Sequence, residues 1–263
     1  MMLTPLYPGG RAKALTFSYD DGVRDDLKLI GIFNRYGMKA TFNLNSGALN
    51  SERKIHADEL KEVYAGHEIA SHGFVHPFLE RIPRACALND LLEDRRTLEK
   101  LTGSIVNGFA LPYGTYNRET LELLSSVGYL YSRTGKSTGG FGLPEDFLQW
   151  HPTCHHSDAE AVAVRFKKTC HSLALCYIWG HAYEFSNNNN WDLMERVCEE
   201  LAGLPNIWYA SNGEIARYLS ALRRLETSAD VSIVYNPSAV SLWFRSESGE
   251  ILEIHAGETR RFF

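Results

Sequence analysis

The sequence lacks several features that would mark a secreted, membrane or disulfide-rich protein. Its cysteines are odd in number and form no C-x-x-C pair, which favours reduced and mostly buried thiols. No apolar run approaches the length of a membrane span. The first residues lack the basic-then-apolar order of a signal peptide. We therefore predict a cytoplasmic protein without a membrane span, unless a leader precedes this sequence.

An excess of charge of either sign is also missing. The net charge is -5 at pH 7 and 22% of the residues are charged, so no basic footprint for nucleic acid is present. The 263 residues, 44% of them hydrophobic, allow a full-sized core in one large domain or two smaller ones. We expect no nucleic-acid partner, and a homo-oligomer is compatible with the sequence.

Strand and helix patterns alternate along most of the chain. Residues 14–19 are typical of a buried strand and residues 24–37 of a helix, and the alternation repeats about seven times on short connections. This predicts a parallel sheet wrapped by helices, open or closed into a barrel, with its active site beyond the carboxyl ends of the strands. Residues 146–153 are predicted as one of the strands. Asn89 and Gly103 are predicted to cap the longest helix.

The pattern changes near Ala229. From there, alternating runs surround an Asn-Pro turn and a Ser-Gly turn, which predicts a small antiparallel β appendage. We therefore divide the chain into a barrel domain, 1–228, and an appendage packed on it, 229–263. A structural flap is the favoured interpretation, and a lid or an interface element are the alternatives.

Asp20 and Asp21 stand side by side where the first predicted strand ends. Adjacent like charges repel, and burying either carboxylate is costly. An ordinary turn with a helix N-cap would explain the pair if it were seen alone. A divalent cation would instead compensate one carboxylate and leave the second as a base for a water that the cation activates.

His72 and His76 follow the third predicted strand, four residues apart. Gly73 and Pro77 indicate a loop, which can converge two ligands as a helix face can. Two neutral imidazoles and a carboxylate are a common set for zinc, iron and similar ions. Because the exits of the first and third strands lie close together in this fold, Asp20 or Asp21 is the expected third ligand. A His-x-x-x-His spacing alone is more often coincidence.

Two further strand ends carry residues that suit hydrolysis. His181 follows another buried strand and is a candidate general acid, since histidine titrates near neutrality; a structural histidine is an equal alternative. The Pro-Tyr-Gly turn at 112–114 could aim the amide N–H of Tyr113 at a developing oxyanion, although taken alone it is only a loop.

In this order, the motifs TFSYDDG, SHGFVHP, ALPYG, DFLQW and YIWGH resemble those of the polysaccharide deacetylases, carbohydrate esterase family four. That family carries Thr-Phe-Asp-Asp-Gly, His-Ser/Thr-x-x-x-His, Arg-x-Pro-Tyr, Asp-x-x-Asp-Trp and Leu-x-Leu-x-His motifs. The resemblance spans roughly residues 15–218. It implies an α/β fold, a distorted (β/α)7 barrel, which agrees with the alternation of strands and helices.

The resemblance also implies a reaction and a role for each residue at the strand ends. The reaction is removal of N-acetyl groups from an amino-sugar oligomer or polysaccharide by a metal-dependent hydrolase. The cofactor is one divalent metal ion, zinc by preference, with cobalt or nickel as alternatives. The implied roles are Asp20 as base, Asp21, His72 and His76 as metal ligands, His181 as general acid and the Tyr113 amide as oxyanion donor.

The sequence departs from the family pattern at several positions. Ala110 stands where the family has an arginine that orients the base, and Arg133 on the next strand could reach the same place. Gln149 replaces the second aspartate of the fourth motif. Weaker candidates for substrate contact are Trp179, Tyr177, Arg133, Trp150 and Glu184. A carboxylate at 184 could raise the pKa of His181, whereas the neighbouring pair His155 and His156 could equally be a surface feature.

Two other functions stay open. The first is hydrolysis of another carbon–nitrogen bond, such as that of a cyclic ureide or other small amide. The second is a catalytically inactive barrel that binds carbohydrate. Hydrolysis of a ureide without acetate release would favour the first, and binding of chitooligomers without turnover would favour the second.

Overall fold

The structure is a computed structural model that describes residues 3–262. Its central strand, Lys13–Asp20, is buried along its whole length. Such a run, without alternation of buried and exposed residues, is typical of a parallel strand covered on both faces. Helices Asp26–Arg35 and Trp191–Leu201 contribute apolar side chains to the same core as this strand. The strand therefore delivers Asp20 to the end of a rigid, buried element.

The parallel strands form one sheet whose edges approach each other. Its spatial order is Tyr131–Arg133, Gly108–Ala110, Glu68–Ser71, Ala40–Leu44, Lys13–Asp20, Ala174–Gly180 and Cys154–His155, with Ile207–Tyr209 paired to the start of Lys13–Asp20. Trp150 bridges to Arg133 at one edge, and Cys154 pairs with Ile178 at the other. The short segment between Trp150 and Cys154 thus connects the two edges. The predicted distorted (β/α)7 barrel is confirmed.

Helices connect these strands on the outside of the sheet. They are Asp26–Arg35, Leu60–Val63, Arg84–Thr102, Arg118–Val127, Ala159–Lys168, Ala182–Asn187, Trp191–Leu201 and Asn212–Leu222. Gly103 caps the longest helix with a left-handed φ of 72°, as predicted. The predicted N-cap at Asn89 is wrong, because the helix already begins at Arg84, directly after Pro83. With Pro83 at the N-cap, the helix starts six residues earlier than Asn89 suggested.

The strand predicted over residues 146–153 is largely wrong. A 3-10 turn occupies Phe147–Gln149, and the side chain of Asp146 accepts a hydrogen bond from the Leu148 N–H at 2.8 Å. Asp146 therefore caps a turn instead of entering a ladder. Strand pairing in this part of the chain is limited to the Trp150 bridge and to Cys154–His155.

The carboxyl-terminal residues form antiparallel strands, as predicted. The strands are Glu226–Thr227, Ile233–Tyr235, Leu242–Arg245, Ile251–Ile254 and Thr259–Arg261. Thr4–Leu6 from the start of the chain pairs with Leu242–Arg245. Tyr218 ties helix Asn212–Leu222 to this sheet by donating a hydrogen bond to the carbonyl of Leu6. Since Leu6 precedes the first barrel strand, this contact lies toward the end of the barrel opposite Asp20.

Candidate metal centre and active site

Asp20 is a buried carboxylate, and only 2% of its side chain is exposed. Its Oδ2 forms an ion pair with Arg133 Nη2, and its Oδ1 accepts a 2.8 Å hydrogen bond from Asn43 Nδ2. His72 Nε2 and His181 Nε2 each lie 3.8 Å from Oδ2. Burial opposes ionisation of Asp20, but these neighbours outweigh it and hold its pKa below the usual range. Asp20 is therefore an ionised, fixed carboxylate.

Asp21 lies in a turn that differs sharply from the strand before it. Its φ is 80° and that of Gly22 is 60°, so two successive residues are left-handed. Glycine is needed at the second, because a Cβ there would lie 2.8 Å from a Leu44 methyl group. Lys54 donates a hydrogen bond to the Asp21 carbonyl, and its Nζ is 3.8 Å from Oδ1. The turn presents Asp20 and Asp21 to the same side of the site although they are adjacent in sequence.

His72 and His76 approach each other through their ε nitrogens. The two Nε2 atoms are 3.1 Å apart, and a carboxylate oxygen of Asp21 lies within 4.8 Å of both. Two nitrogens bound to one tetrahedral zinc at about 2.0–2.1 Å would be about 3.3 Å apart. Burial lowers the pKa of His72 and, together with His72 itself, brings that of His76 to about 4. Both imidazoles are then neutral, so their lone pairs are free to bind a cation.

The second nitrogen of His72 is also fixed. His72 Nδ1 lies 2.8 Å from the carbonyl oxygen of Ala110, which can only accept a hydrogen bond. Nδ1 therefore carries the proton, and Nε2 carries the lone pair. This tautomer is the one that a metal ligand needs.

Two buried carboxylates on helix Arg84–Thr102 hold the His72–His76 loop. Asp94 accepts a 3.1 Å hydrogen bond from the His72 N–H, and Asp90 accepts 3.0 Å bonds from the Phe74 and Val75 amides. No local sequence pattern identifies either residue. Their spacing of four residues puts them on one helix face, but only the fold shows that this face meets the loop. They support the left-handed φ of 56° at His76.

On the other side of Asp20, Glu184 contacts three imidazoles. Its Oε1 is 3.0 Å from His181 Nδ1, and its Oε2 is 2.9 Å from His155 Nε2 and 3.0 Å from His156 Nε2. Burial opposes the charge on Glu184, yet the imidazoles lower its pKa strongly. Burial likewise lowers the pKa of His181, but Glu184 and Asp20 outweigh it and raise that pKa above the ordinary histidine value. His156 is buried, so the alternative that the His155–His156 pair is a surface feature does not hold for this residue.

Tyr113 lies at the mouth of the site. Its ring is 55% exposed, stacks on Phe78 at 3.6 Å and meets the edge of His76 at 4.5 Å. Its φ of 59° produces the tight turn between Pro112 and Gly114. The turn is thus held beside a candidate metal ligand, and the oxyanion role of the Tyr113 amide stays a prediction.

The aromatic residues predicted to contact substrate divide into two groups. Trp150 and Tyr177 are each 1% exposed and pack on one another at 4.8 Å, so neither ring is available to a ligand. Placing them at the substrate was wrong, since they fill the core where the barrel edges meet. Trp179 is half-buried, and the Arg133 guanidinium lies 4.3 Å from its ring centre. Only Trp179 among the three remains near the site.

The fold and the site together define a (β/α) barrel with carboxylates and imidazoles gathered at the carboxyl ends of its parallel strands. The family model described as polysaccharide deacetylase matches residues 8–132, the part of the chain that carries Asp20, Asp21, His72 and His76. Over these residues the chain is similar to the polysaccharide deacetylase family.

One curated relative and two solved structures show low sequence identity to this chain. The peptidoglycan-N-acetylglucosamine deacetylase PgdA of Listeria monocytogenes is 25% identical over 112 residues, 42% of this chain and 23% of PgdA. A Mycobacterium smegmatis crystal structure, provisionally described as a polysaccharide deacetylase, covers 84% of this chain and 94% of that one (TM-score 0.64, 16% identity). The Puue allantoinase structure covers 80% of this chain and 91% of that one (TM-score 0.62, 16% identity). The two structures show the shared fold.

The PgdA match spans less than a quarter of that protein's length. No helix within residues 3–262 is both long and apolar enough to cross a membrane.

Proposed function

We propose that this chain is a metal-dependent hydrolase that removes N-acetyl groups from an amino-sugar oligomer or polysaccharide. The observation that carries the proposal is the position of Asp20 Oδ2, 3.8 Å from an ε nitrogen on either side. One nitrogen belongs to His72 of the candidate metal set, and the other belongs to His181. A base between a cation site and an acid is the arrangement that hydrolysis of an amide requires.

The residues present fit a zinc-type cation. Asp21, His72 and His76 supply one oxygen and two nitrogens, the donor set of many catalytic zinc sites, and the distance between the two nitrogens is compatible with a shared ion. A cation bound there would polarise the scissile carbonyl and lower the pKa of a coordinated water to about 7. Cobalt and nickel accept the same donors.

Asp20 acts as the base. It takes one proton from the attacking water while the hydroxyl group adds to the acyl carbon. Arg133 and Asn43 hold its two oxygens, so the carboxylate cannot rotate away from the reacting atoms. Its lowered pKa keeps it ionised across the neutral range.

His181 acts as the acid. Its Nδ1 is hydrogen-bonded to Glu184 and its Nε2 faces Asp20, so the proton for the departing nitrogen is carried on Nε2. As the carbon–nitrogen bond breaks, this proton passes to the nitrogen and acetate is released. The amide of Tyr113 donates to the carbonyl oxygen as negative charge develops on it.

A cleft beside Asp21 offers room for the rest of the substrate. Its volume is about 750 Å³, and its walls include Arg24, Lys54, Tyr183 and Asn187. This size lies within the range of small-ligand sites, and the hydrogen-bonding walls suit the hydroxyl groups of a sugar.

The test is acetate release from N-acetylated chitooligosaccharides by zinc-loaded protein, with and without 1,10-phenanthroline. We expect release that chelation abolishes and added zinc restores. Hydrolysis of a cyclic ureide without acetate release would show that the substrate is a cyclic ureide and not an acetylated amino sugar. Oligosaccharide binding without turnover of either compound would favour the inactive barrel.

A further inference from the structure

The cluster of His155, His156 and Glu184 has the composition of a second cation site. From these residues we propose that the chain binds a second zinc-type divalent cation through His155 Nε2, His156 Nε2 and Glu184 Oε2. The three atoms lie within 4.8 Å of one another. They come from different residues than the Asp21, His72 and His76 set, so this site does not depend on the proposed deacetylase function.

Glu184 Oε2 lies close to an ε nitrogen of each imidazole. Glu184 Oε2 is 2.9 Å from His155 Nε2 and 3.0 Å from His156 Nε2. Nevertheless, this buried oxygen has no hydrogen-bond partner within residues 3–262. Ligand atoms around one cation point at the cation and not at each other, so short contacts without hydrogen-bond geometry are expected among them.

The fold fixes His156 in this position. Its ring stacks on Phe185 at 4.2 Å and lies nearly parallel to Tyr19 at 5.9 Å. It also passes so close to the backbone of Gly180 that a Cβ there would lie 2.1 Å from Nδ1. A buried imidazole held on three sides can turn its Nε2 only toward Glu184. One ligand of the proposed site is therefore preorganised.

His155 supplies a second nitrogen from the rim of the site. Its side chain is 27% exposed, so a cation can enter from solvent. His155 Nδ1 accepts a 3.3 Å hydrogen bond from the Ser157 N–H and lies 3.0 Å from Ser157 Oγ, and these contacts orient the ring with Nε2 toward Glu184. Two imidazoles and one carboxylate favour zinc over magnesium or calcium, which prefer oxygen ligands.

Zinc counting tests the proposal directly. Folded protein is dialysed against rising buffered concentrations of free Zn2+, and bound zinc is measured by elemental analysis. We expect the wild type to saturate at about two zinc ions per chain and His155→Ala and Glu184→Gln at about one each. The exposed His171→Ala is the matched control and should keep two.

The outcome separates this site from the catalytic one. His72→Ala should retain one zinc ion, held by the second site, and should lose it when combined with His155→Ala. Saturation of the wild type at one zinc ion that disappears in His72→Ala would overturn the proposal. A His155→Ala protein that still binds two ions would overturn it too. A failure of acetate release would leave these counts, and therefore this inference, unaffected.

Discussion

Ala110 and Arg133 are register partners on adjacent parallel strands. Partners in a parallel ladder direct their side chains to the same face of the sheet. The resemblance put the family's base-orienting arginine at the position of Ala110, and Arg133 forms the ion pair with Asp20 from one strand further on. The Arg133 guanidinium thus reaches the Asp20 carboxylate from the strand adjacent to the one that carries Ala110.

Because the two positions are register partners, we predict that an arginine at position 110 can replace the one at position 133. Arg133→Gln should lower kcat/KM on the acetylated substrate about 100-fold, because a mispositioned base loses part of the 10²–10⁴-fold that general bases contribute. The double variant Ala110→Arg/Arg133→Ala should recover part of that loss. If the kcat/KM of the double variant is no higher than that of Arg133→Ala alone, the guanidinium stabilises the fold and does not position the base. Acetate-release kinetics decide between these results.

Glu184 should determine how far into the alkaline range the enzyme works. The pKa of His181 is raised in the folded protein, so its acid form persists above the ordinary value of 6.5 and is lost as the pH rises through the raised pKa. Glu184→Gln removes the carboxylate whose hydrogen bond and charge raise the His181 pKa, so that pKa should fall. The alkaline limb of the kcat profile should therefore move to lower pH.

The measurement uses protein loaded with one equivalent of zinc, and Glu160→Gln serves as the control because Glu160 pairs with Arg196 on the surface. An alkaline limb that stays in place in Glu184→Gln would exclude His181 as the titrating acid.

Gly180 should be intolerant of any side chain. Gly180→Ala would place a Cβ 2.1 Å from His156 Nδ1 within a closely packed region. Overpacking of this kind costs about 1–3 kcal/mol, so the free energy of unfolding should fall by that amount. Gly31→Ala, in helix Asp26–Arg35 with nothing within 4 Å of the added carbon, should instead raise it by about 0.5–1 kcal/mol. Urea denaturation of the two variants checks both signs, and equal effects would contradict the packing described for His156.

Much of the fold could be predicted because each strand and helix carries its own local pattern. The buried strand Lys13–Asp20 and the C-cap at Gly103 are examples. The segment over residues 146–153 was harder, since its apolar residues pack into the barrel seam as a turn and a single bridge instead of a strand. Apolar character alone does not distinguish these cases.

The candidate site was only partly visible in the sequence. Residues at strand ends, such as Asp20, Asp21 and His181, are identified by their position after an apolar run. Asn43 and Asp94 act through contacts with distant parts of the chain, so no local pattern reveals them. Trp150 was predicted to contact substrate but packs in the core. A large aromatic side chain near a strand end can stack on a sugar or pack in a core, and the sequence does not distinguish the two.

We propose that Asp21, His72 and His76 hold the cation that activates the water from which Asp20 takes a proton. The most direct test measures zinc content and acetate release together in saturated wild type, His76→Ala and Asp20→Asn. We predict that His76→Ala binds one zinc ion fewer than wild type and releases no acetate, while Asp20→Asn keeps the wild-type zinc content and loses about 10²–10⁴-fold in kcat. A His76→Ala protein with unchanged zinc content, or with undiminished acetate release, would contradict the account.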